Sequence, residues 1–235
     1  MKGHGKRYKA VAEKVEHLKR YPVAQAMELV KQTSKAKFDE SIDLSICLGV
    51  DAKQSDQMVR GSALLPHGTG KSVRVLVFAK GEKADEAKAA GAEFIGAEEL
   101  VEKIKGGWTD FEKAIATPDM MAKIGSIAKI LGPRGLMPNP KTGTVTMEVG
   151  KAVQEQKKGK VDFRIEKSAI VHAPIGKASF TAIQLKENFE VLMDQIMKQK
   201  PAAAKGIYVQ RITVSSTMGP GIKIDISEYQ SQARG

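Results

Sequence analysis

The chain has 235 residues, 42% of them hydrophobic and 5% aromatic, enough for one large or two modest domains with cores built on aliphatic side chains. Lys and Arg number 38 against 27 Asp and Glu, and this formal net charge of +11 favours a polyanionic partner. A single cysteine, Cys47, excludes an internal disulfide framework and a cysteine-cluster zinc site, and no apolar run approaches the ~20 residues of a membrane span.

The basic excess is spread along the chain. Residues 1–67 carry 12 basic and 8 acidic side chains, residues 68–160 carry 16 and 12, and residues 161–235 carry 10 and 7, so no segment is a polybasic tail. The start, Met1 to Arg7, is basic, but no apolar signal-peptide core follows it, and a soluble cytoplasmic protein is expected.

In chain order, Tyr8, Val11, Val15 and Leu18 recur at helical spacing, and Pro22 suits the first turn of a second helix carrying Val23, Met27 and Val30. Ile42, Leu44, Ile46 and Leu48 alternate as in a half-buried strand, and a second strand is expected between Val59 and Leu65. The middle changes rhythm. Val73, Val75, Val77 and Phe78 form a short apolar strand, Glu82 to Ala90 a helix, Glu93 to Ile95 a brief strand, Ala97 to Lys105 a helix and Lys113 to Ala116 another strand. Thr117 and Pro118 resemble the cap and first position of a helix carrying Met121, Ile124 and Ala128. Strand and helix alternating at this spacing imply βα units around a parallel sheet.

The last third returns to alternation at Val161, Phe163 and Ile165, at Ile212 and Val214, and at Ile222, Ile224 and Ile226, around a helix with Phe189, Leu192, Met193 and Ile196 on one face. Ser215 to Gly221 joins two of these strands as a turn or short loop. Neither end of the chain can cover a sheet by itself, so the pattern is compatible with one α+β domain built from both ends and a βα segment inserted into it.

Some chemistry is disfavoured at once. His67-Gly68-Thr69-Gly70-Lys71-Ser72 resembles the end of a phosphate-binding loop, but Leu65 stands where the first glycine is needed, and a strand rather than a helix follows the lysine. A glycine-rich connector between domains is the better reading. His4, His17, His67 and His172 lack paired metal-ligand spacing, and no nucleophile stands beside a base in a catalytic constellation. No metal, cofactor or enzymatic activity is expected. The acidic residues fall beside lysines, as on solvated helix faces.

One segment stands apart: Leu131-Gly132-Pro133-Arg134-Gly135-Leu136-Met137-Pro138-Asn139-Pro140-Lys141-Thr142-Gly143-Thr144-Val145. Its prolines stiffen a loop, its glycines permit tight backbone paths, and Arg134 and Lys141 ride on it. This stretch resembles the signature of the bacterial large-subunit ribosomal protein one, the L-one family. The likeness extends, in order, through Ala36-Lys37-Phe38-Asp39-Glu40, Ser55-Asp56-Gln57, Val59-Arg60-Gly61, Leu65-Pro66-His67-Gly68 and Val73-Arg74-Val75. It continues through Ala116-Thr117-Pro118-Asp119, His172-Ala173-Pro174, Gly176-Lys177-Ala178-Ser179-Phe180 and Thr217-Met218-Gly219-Pro220, covering nearly the whole chain.

The resemblance implies two domains: an outer α+β domain from residues 1–67 and 161–235, and a Rossmann-like βα domain, residues 68–160, inserted between them. It implies a cytoplasmic ribosomal protein, monomeric off the ribosome and without a membrane. Its implied partners are large-subunit (23S) ribosomal RNA at the mobile stalk beside the transfer-RNA exit site, exit-site transfer RNA, and its own messenger RNA, whose translation it represses.

The resemblance also implies the contact residues. Ser216, Thr217, Met218, Gly219 and Pro220 form the first group: Thr217 offers a hydroxyl, Gly219 close approach and Met218 an adaptable apolar surface. Lys37 and Phe38 form the second, Phe38 packing on a ribose or base with Lys37 and Lys53 near phosphates; Ser41 follows where the family often has threonine. Arg60, His172, Lys177 and Ser179 carry over as further RNA contacts, and Arg134 and Lys141 as a secondary nucleic-acid contact. Two other readings compete: a nucleotide-dependent transferase using the middle domain, and a basic protein that coats any nucleic acid.

Overall fold

Alternation in the sequence becomes alternation in burial. The computed structural model describes residues 5–204 and 206–231; the basic start, Met1 to His4, lies outside the described residues. The chain divides into two units, one of Met1–Gly70 with Val161–Gly235 and the other of Lys71–Lys160.

The first unit opens with α1 (Lys6–Ala12), α2 (Val23–Thr33), β1 (Ser41–Leu48) and β2 (Arg60–Leu64). The chain then enters the second unit, with β3 (Val75–Phe78), α3 (Glu82–Ala89), β4 (Phe94–Gly96), α4 (Glu98–Lys105), β5 (Lys113–Ala116), α5 (Met121–Ile124), α6 (Ala128–Leu131) and α7 (Val149–Lys157). It returns through β6 (Lys160–Arg164), β7 (Ile170–Lys177), α8 (Ala182–Lys198), β8 (Val209–Ser216), β9 (Ile222–Ile224) and α9 (Ser227–Ser231).

In the first unit, four antiparallel strands lie in the order β7-β1-β8-β9, and β2 pairs with β6 in a second, two-stranded sheet. Along β1, Ile42, Leu44, Ile46 and Leu48 are buried while Ser41, Asp43, Ser45 and Cys47 are half-exposed. The buried set packs on Met27 and Val30 of α2 and on Leu185, Phe189, Leu192, Met193 and Ile196 of α8. Those α8 residues recur at three- and four-residue spacing, so one face of the helix covers the sheet. Thr181 and Gln184 close the helix start as a reciprocal capping box, a device that contributes about 1 kcal/mol. Both helices lie on one side of the sheet, leaving its other face open.

The second unit is a parallel sheet in the order β4-β3-β5 with helices on both faces. Leu76 and Phe78 of β3 pack with Leu100, Val101 and Ile104 of α4 and with Ile124 and Leu131, while Val75 and Val77 face Ala87 of α3 and Val149 and Val153 of α7. The mixed α/β class and the inserted βα segment are therefore as the sequence suggests.

Local differences have physical causes. The first helix ends at Ala12, not near Leu18, and Leu18 is 90% exposed; the chain turns instead so that the Glu16 amide donates to the Tyr21 hydroxyl at 3.0 Å. Pro22 has ψ 149°, so it precedes the helix as its cap and does not occupy its first turn. Val73 lies outside β3: the Arg74 amide donates to the Glu112 carboxylate at 2.8 Å, and sheet pairing begins at Val75. Thr117 is buried and makes no side-chain cap, and the helix after Pro118 is broken into α5 and α6 by 3₁₀ turns. Around His67, the connector is tied to the first unit, because its amide donates to Asn188 Oδ1 at 3.1 Å and Asn188 Nδ2 donates to the Gly68 carbonyl at 3.0 Å.

Candidate nucleic-acid interface

The open face of the four-stranded sheet is paved with small polar groups. Ser41 lies opposite Lys177, Asp43 opposite Pro174 and Ser45 opposite His172 across the β1–β7 pairing. On the other side of β1, Asp43 faces Ser215, Ser45 faces Thr213 and Cys47 faces Arg211. Ser45 Oγ and His172 Nδ1 are 3.0 Å apart. Helices cover the opposite face, so a ligand reaches these groups without displacing a core element.

At the Ser41 end of β1, three segments distant in sequence meet. The turn after β8 is held by Thr217, whose amide donates to the Ser41 carbonyl at 3.0 Å. The Thr217 hydroxyl accepts from the Ser41 amide at 3.0 Å and donates to the same carbonyl at 3.3 Å. From β7, Lys177 Nζ donates to Ser41 Oγ at 3.0 Å. Asp39 anchors the loop after β7 by accepting from the Ser179 amide at 3.0 Å and its hydroxyl at 2.9 Å.

Beneath this end lies Glu40, 1% exposed. Its Oε1 accepts from the Ala36 amide at 2.8 Å, and its Oε2 accepts from Ser216 Oγ at 2.8 Å and the Met218 amide at 2.9 Å. Burial pushes the Glu40 carboxyl up, but these donors outweigh it and hold the group below the ordinary carboxylate value. Two apolar side chains stand out from the same end: Phe38 is 55% exposed and Met218 48% exposed. Such exposure is unusual for a phenylalanine and leaves its ring free to stack.

Phe38, Ser41, Lys177, Ser179, Thr217 and Met218 are thus brought together, and Lys37 precedes Phe38 in the same loop. Others separate. Lys53 follows the far end of β1, seven residue steps or roughly 23 Å from Ser41. It therefore does not share one patch with Lys37. His172 sits midway along the face and Arg60 on β2 of the two-stranded sheet. Ser216 is 3% exposed and donates inward to Glu40, and Pro220 is buried, so neither turns its side chain to the open surface. Gly219 is required by close approach, since a Cβ there would stand 2.5 Å from Ser216 Oγ.

Sequence reading missed Glu40 as an organiser, because its partners Ser216 and Met218 are 176 and 178 residues away along the chain. The polar alternation of Ser41, Asp43 and Ser45 was the available signal for the open face.

In the second unit, the glycine- and proline-rich loop is braced from within. The Asn139 side chain accepts from the Lys141 amide at 2.8 Å, Thr144 Oγ1 accepts from the Asn139 amide at 2.8 Å, and Gly143 takes the left-handed conformation at φ 69°. Lys141 and Arg134 are exposed on it, with Arg134 Nη1 donating to Thr109 Oγ1. Among the described residues, no group of His, Cys, Asp or Glu is placed to hold a metal ion, and no helix is long and apolar enough to cross a membrane.

The profile of the ribosomal protein L1p/L10e family matches residues 30–220. The chain is 62% identical over 221 residues to the large ribosomal subunit protein uL1 of Bdellovibrio bacteriovorus, covering 94% of each. It is 60% identical over 225 residues to the protein of that name from Corynebacterium glutamicum strain R, covering 96% of this chain and 95% of the relative. The family match takes in both chain segments that meet at Glu40 and the whole inserted unit. The chain belongs to the ribosomal protein L1p/L10e family.

Proposed function

We propose that this protein is a structural constituent of the large ribosomal subunit that grips folded large-subunit (23S) ribosomal RNA through the Ser41 end of its four-stranded sheet. The carrying observation is that end itself: exposed Phe38 and Met218 stand beside Ser41, Lys177 and Ser179, on three segments joined by Glu40 and Thr217. Folded RNA presents ribose hydroxyls and phosphates along a shallow minor groove, so a reader of its shape needs short polar groups near a rigid backbone. The open sheet face supplies them. Phe38 stacks on a base or ribose, Met218 adapts to an apolar edge, and Lys37 and Lys177 lie near phosphates. Fixed backbone geometry at the turn favours one RNA shape over generic coating.

By resemblance, the partner region is the mobile stalk beside the transfer-RNA exit site. The second unit contacts exit-site transfer RNA through Arg134 and Lys141 and assists its release, and a similar structure in the protein's own messenger is bound to repress translation. The protein then works in the cytoplasm as part of the ribosome.

Competition tests the proposal. Structured large-subunit ribosomal RNA is expected to displace a labelled copy of itself from the full chain, while duplex DNA of equal length does so only at far higher concentration. Equal competition by the DNA would identify a general polyanion binder and overturn the reading.

A further inference from the structure

We infer that Glu40 is a positioning residue for RNA recognition: it turns the Thr217–Met218 peptide so that the Thr217 carbonyl faces outward as the acceptor for a ribose 2′-hydroxyl. The inference rests on the proposed RNA-binding role and names the group that reads the ribose.

Among the described residues no peptide bond is cis, and in a trans peptide the N–H and C=O point in opposite directions. The Met218 N–H points inward to Glu40 Oε2 at 2.9 Å. The carbonyl of the same peptide, that of Thr217, therefore points away from the buried carboxylate. The Thr217 hydroxyl is already engaged with the Ser41 amide and carbonyl, and the Thr217 amide donates to that carbonyl too. The group that Thr217 turns outward is thus its carbonyl oxygen.

That oxygen accepts and cannot donate, so it selects a ligand group carrying a proton. A phosphate oxygen carries none at neutral pH; a ribose 2′-hydroxyl does, and the minor groove of folded RNA exposes it. DNA lacks it. Gly219 lets the turn close down on the buried Ser216 beneath it, since a Cβ there would stand 2.5 Å from Ser216 Oγ.

A carboxylate suits the bracing position because it is acceptor-only. Glu40 receives three donors on two oxygens, two of them backbone amides that ordinary mutation leaves in place. An isosteric glutamine must aim an NH₂ group at one of these donors. The Ser216 hydroxyl can turn to accept from that NH₂ and the Ala36 amide cannot, so the NH₂ takes the Oε2 position and the Met218 peptide loses its acceptor and rotates. The Glu40 charge faces three donors and is buried beneath the turn, which separates its role from contact with phosphate.

The test uses the full chain, as wild type, Glu40→Gln and Ser216→Ala, with the ribosomal RNA fragment that the wild type protects, synthesised with single 2′-deoxy substitutions. Wild type is expected to bind one deoxy-substituted RNA about fivefold or more weakly than the parent. Glu40→Gln is expected to bind the parent about tenfold more weakly and to lose the penalty at that ribose. Ser216→Ala, which leaves the Met218 bond to Glu40 intact, should keep it. Affinities are taken per folded molecule, with the folded fraction read by circular dichroism. If Glu40 is merely structural, Glu40→Gln weakens every RNA by one factor and retains the ribose penalty, which overturns the inference. Unchanged affinity in Glu40→Gln, or a wild type that binds with no penalty at any ribose, overturns it as well. A wild-type chain that binds no ribosomal RNA fails earlier and overturns the functional reading itself.

Discussion

Thr217→Val separates a hydroxyl used by the fold from one used by the ligand. Valine keeps the size and branching of threonine and removes only Oγ1. In the structure that atom accepts from the Ser41 amide at 3.0 Å and donates to its carbonyl at 3.3 Å. Both bonds are exposed, so water replaces part of what is lost, and the cost to stability is about 0.5–1 kcal/mol, the low end for an intramolecular hydrogen bond. For a unit of this size the loss lowers the melting temperature by about 1–4 °C in a calorimetric scan. The Thr217 amide still holds the Ser41 carbonyl and Glu40 still holds the Met218 amide, so affinity for ribosomal RNA falls by no more than about fivefold, equally at low and high salt. Fluorescence anisotropy at two salt concentrations measures this. An unchanged melting temperature with hundredfold weaker binding would show that the hydroxyl itself reads the RNA, as the family resemblance implies, and would rule out its role as a support.

Phe38→Ala removes a ring that is 55% exposed, so stability should shift by less than about 0.5 kcal/mol while RNA binding loses about 1–3 kcal/mol, read by denaturation and titration respectively. Lys37→Ala should weaken binding chiefly at low salt and reduce the slope of log affinity against log salt by about 0.7–0.9, the signature of one lost phosphate contact. Arg134→Ala combined with Lys141→Ala should leave binding to isolated ribosomal RNA nearly unchanged and alter transfer-RNA contact on whole ribosomes; a large loss on the isolated RNA would count against this division of labour. In the second unit, Lys123 and Lys80 hold the Glu98 carboxyl down to about 2. Because the folded value is depressed, its contribution is complete above about 4.5 and is lost as pH falls towards 2, so Glu98→Gln should flatten the acid side of the unfolding-midpoint curve over that window.

What the sequence made legible was local. Ile42 to Leu48 and Phe189 to Ile196 announce their elements because a two-residue and a 3.6-residue period survive without knowledge of the partner. Helix α7 carries little local signal: Gly150 interrupts its start, and that start is secured by the Glu86 carboxylate, which accepts the Gly150 amide at 3.0 Å from 64 residues away. Leu18 shows the opposite failure, a position in helical phase that the chain leaves in solvent. At the site, motif likeness named Lys37, Phe38, Ser41 and Thr217 but could not tell contact from support. Ser216 turns inward to Glu40, and Lys53 stands a strand length from Lys37, because both facts depend on which segments meet across the sheet.

Directed hydroxyl-radical cleavage of large-subunit ribosomal RNA shows which side of the first unit the RNA lies on. The single Cys47 is replaced by serine, and an iron chelate is tethered to Lys35→Cys, beside the Phe38 loop, or to Asp194→Cys, on the exposed side of α8. Cleavage from position 35 is expected within one compact folded region of the RNA, with little or none from position 194. Strong cleavage from position 194 with none from position 35 would place the RNA on the helical side of the first unit and contradict the proposed interface.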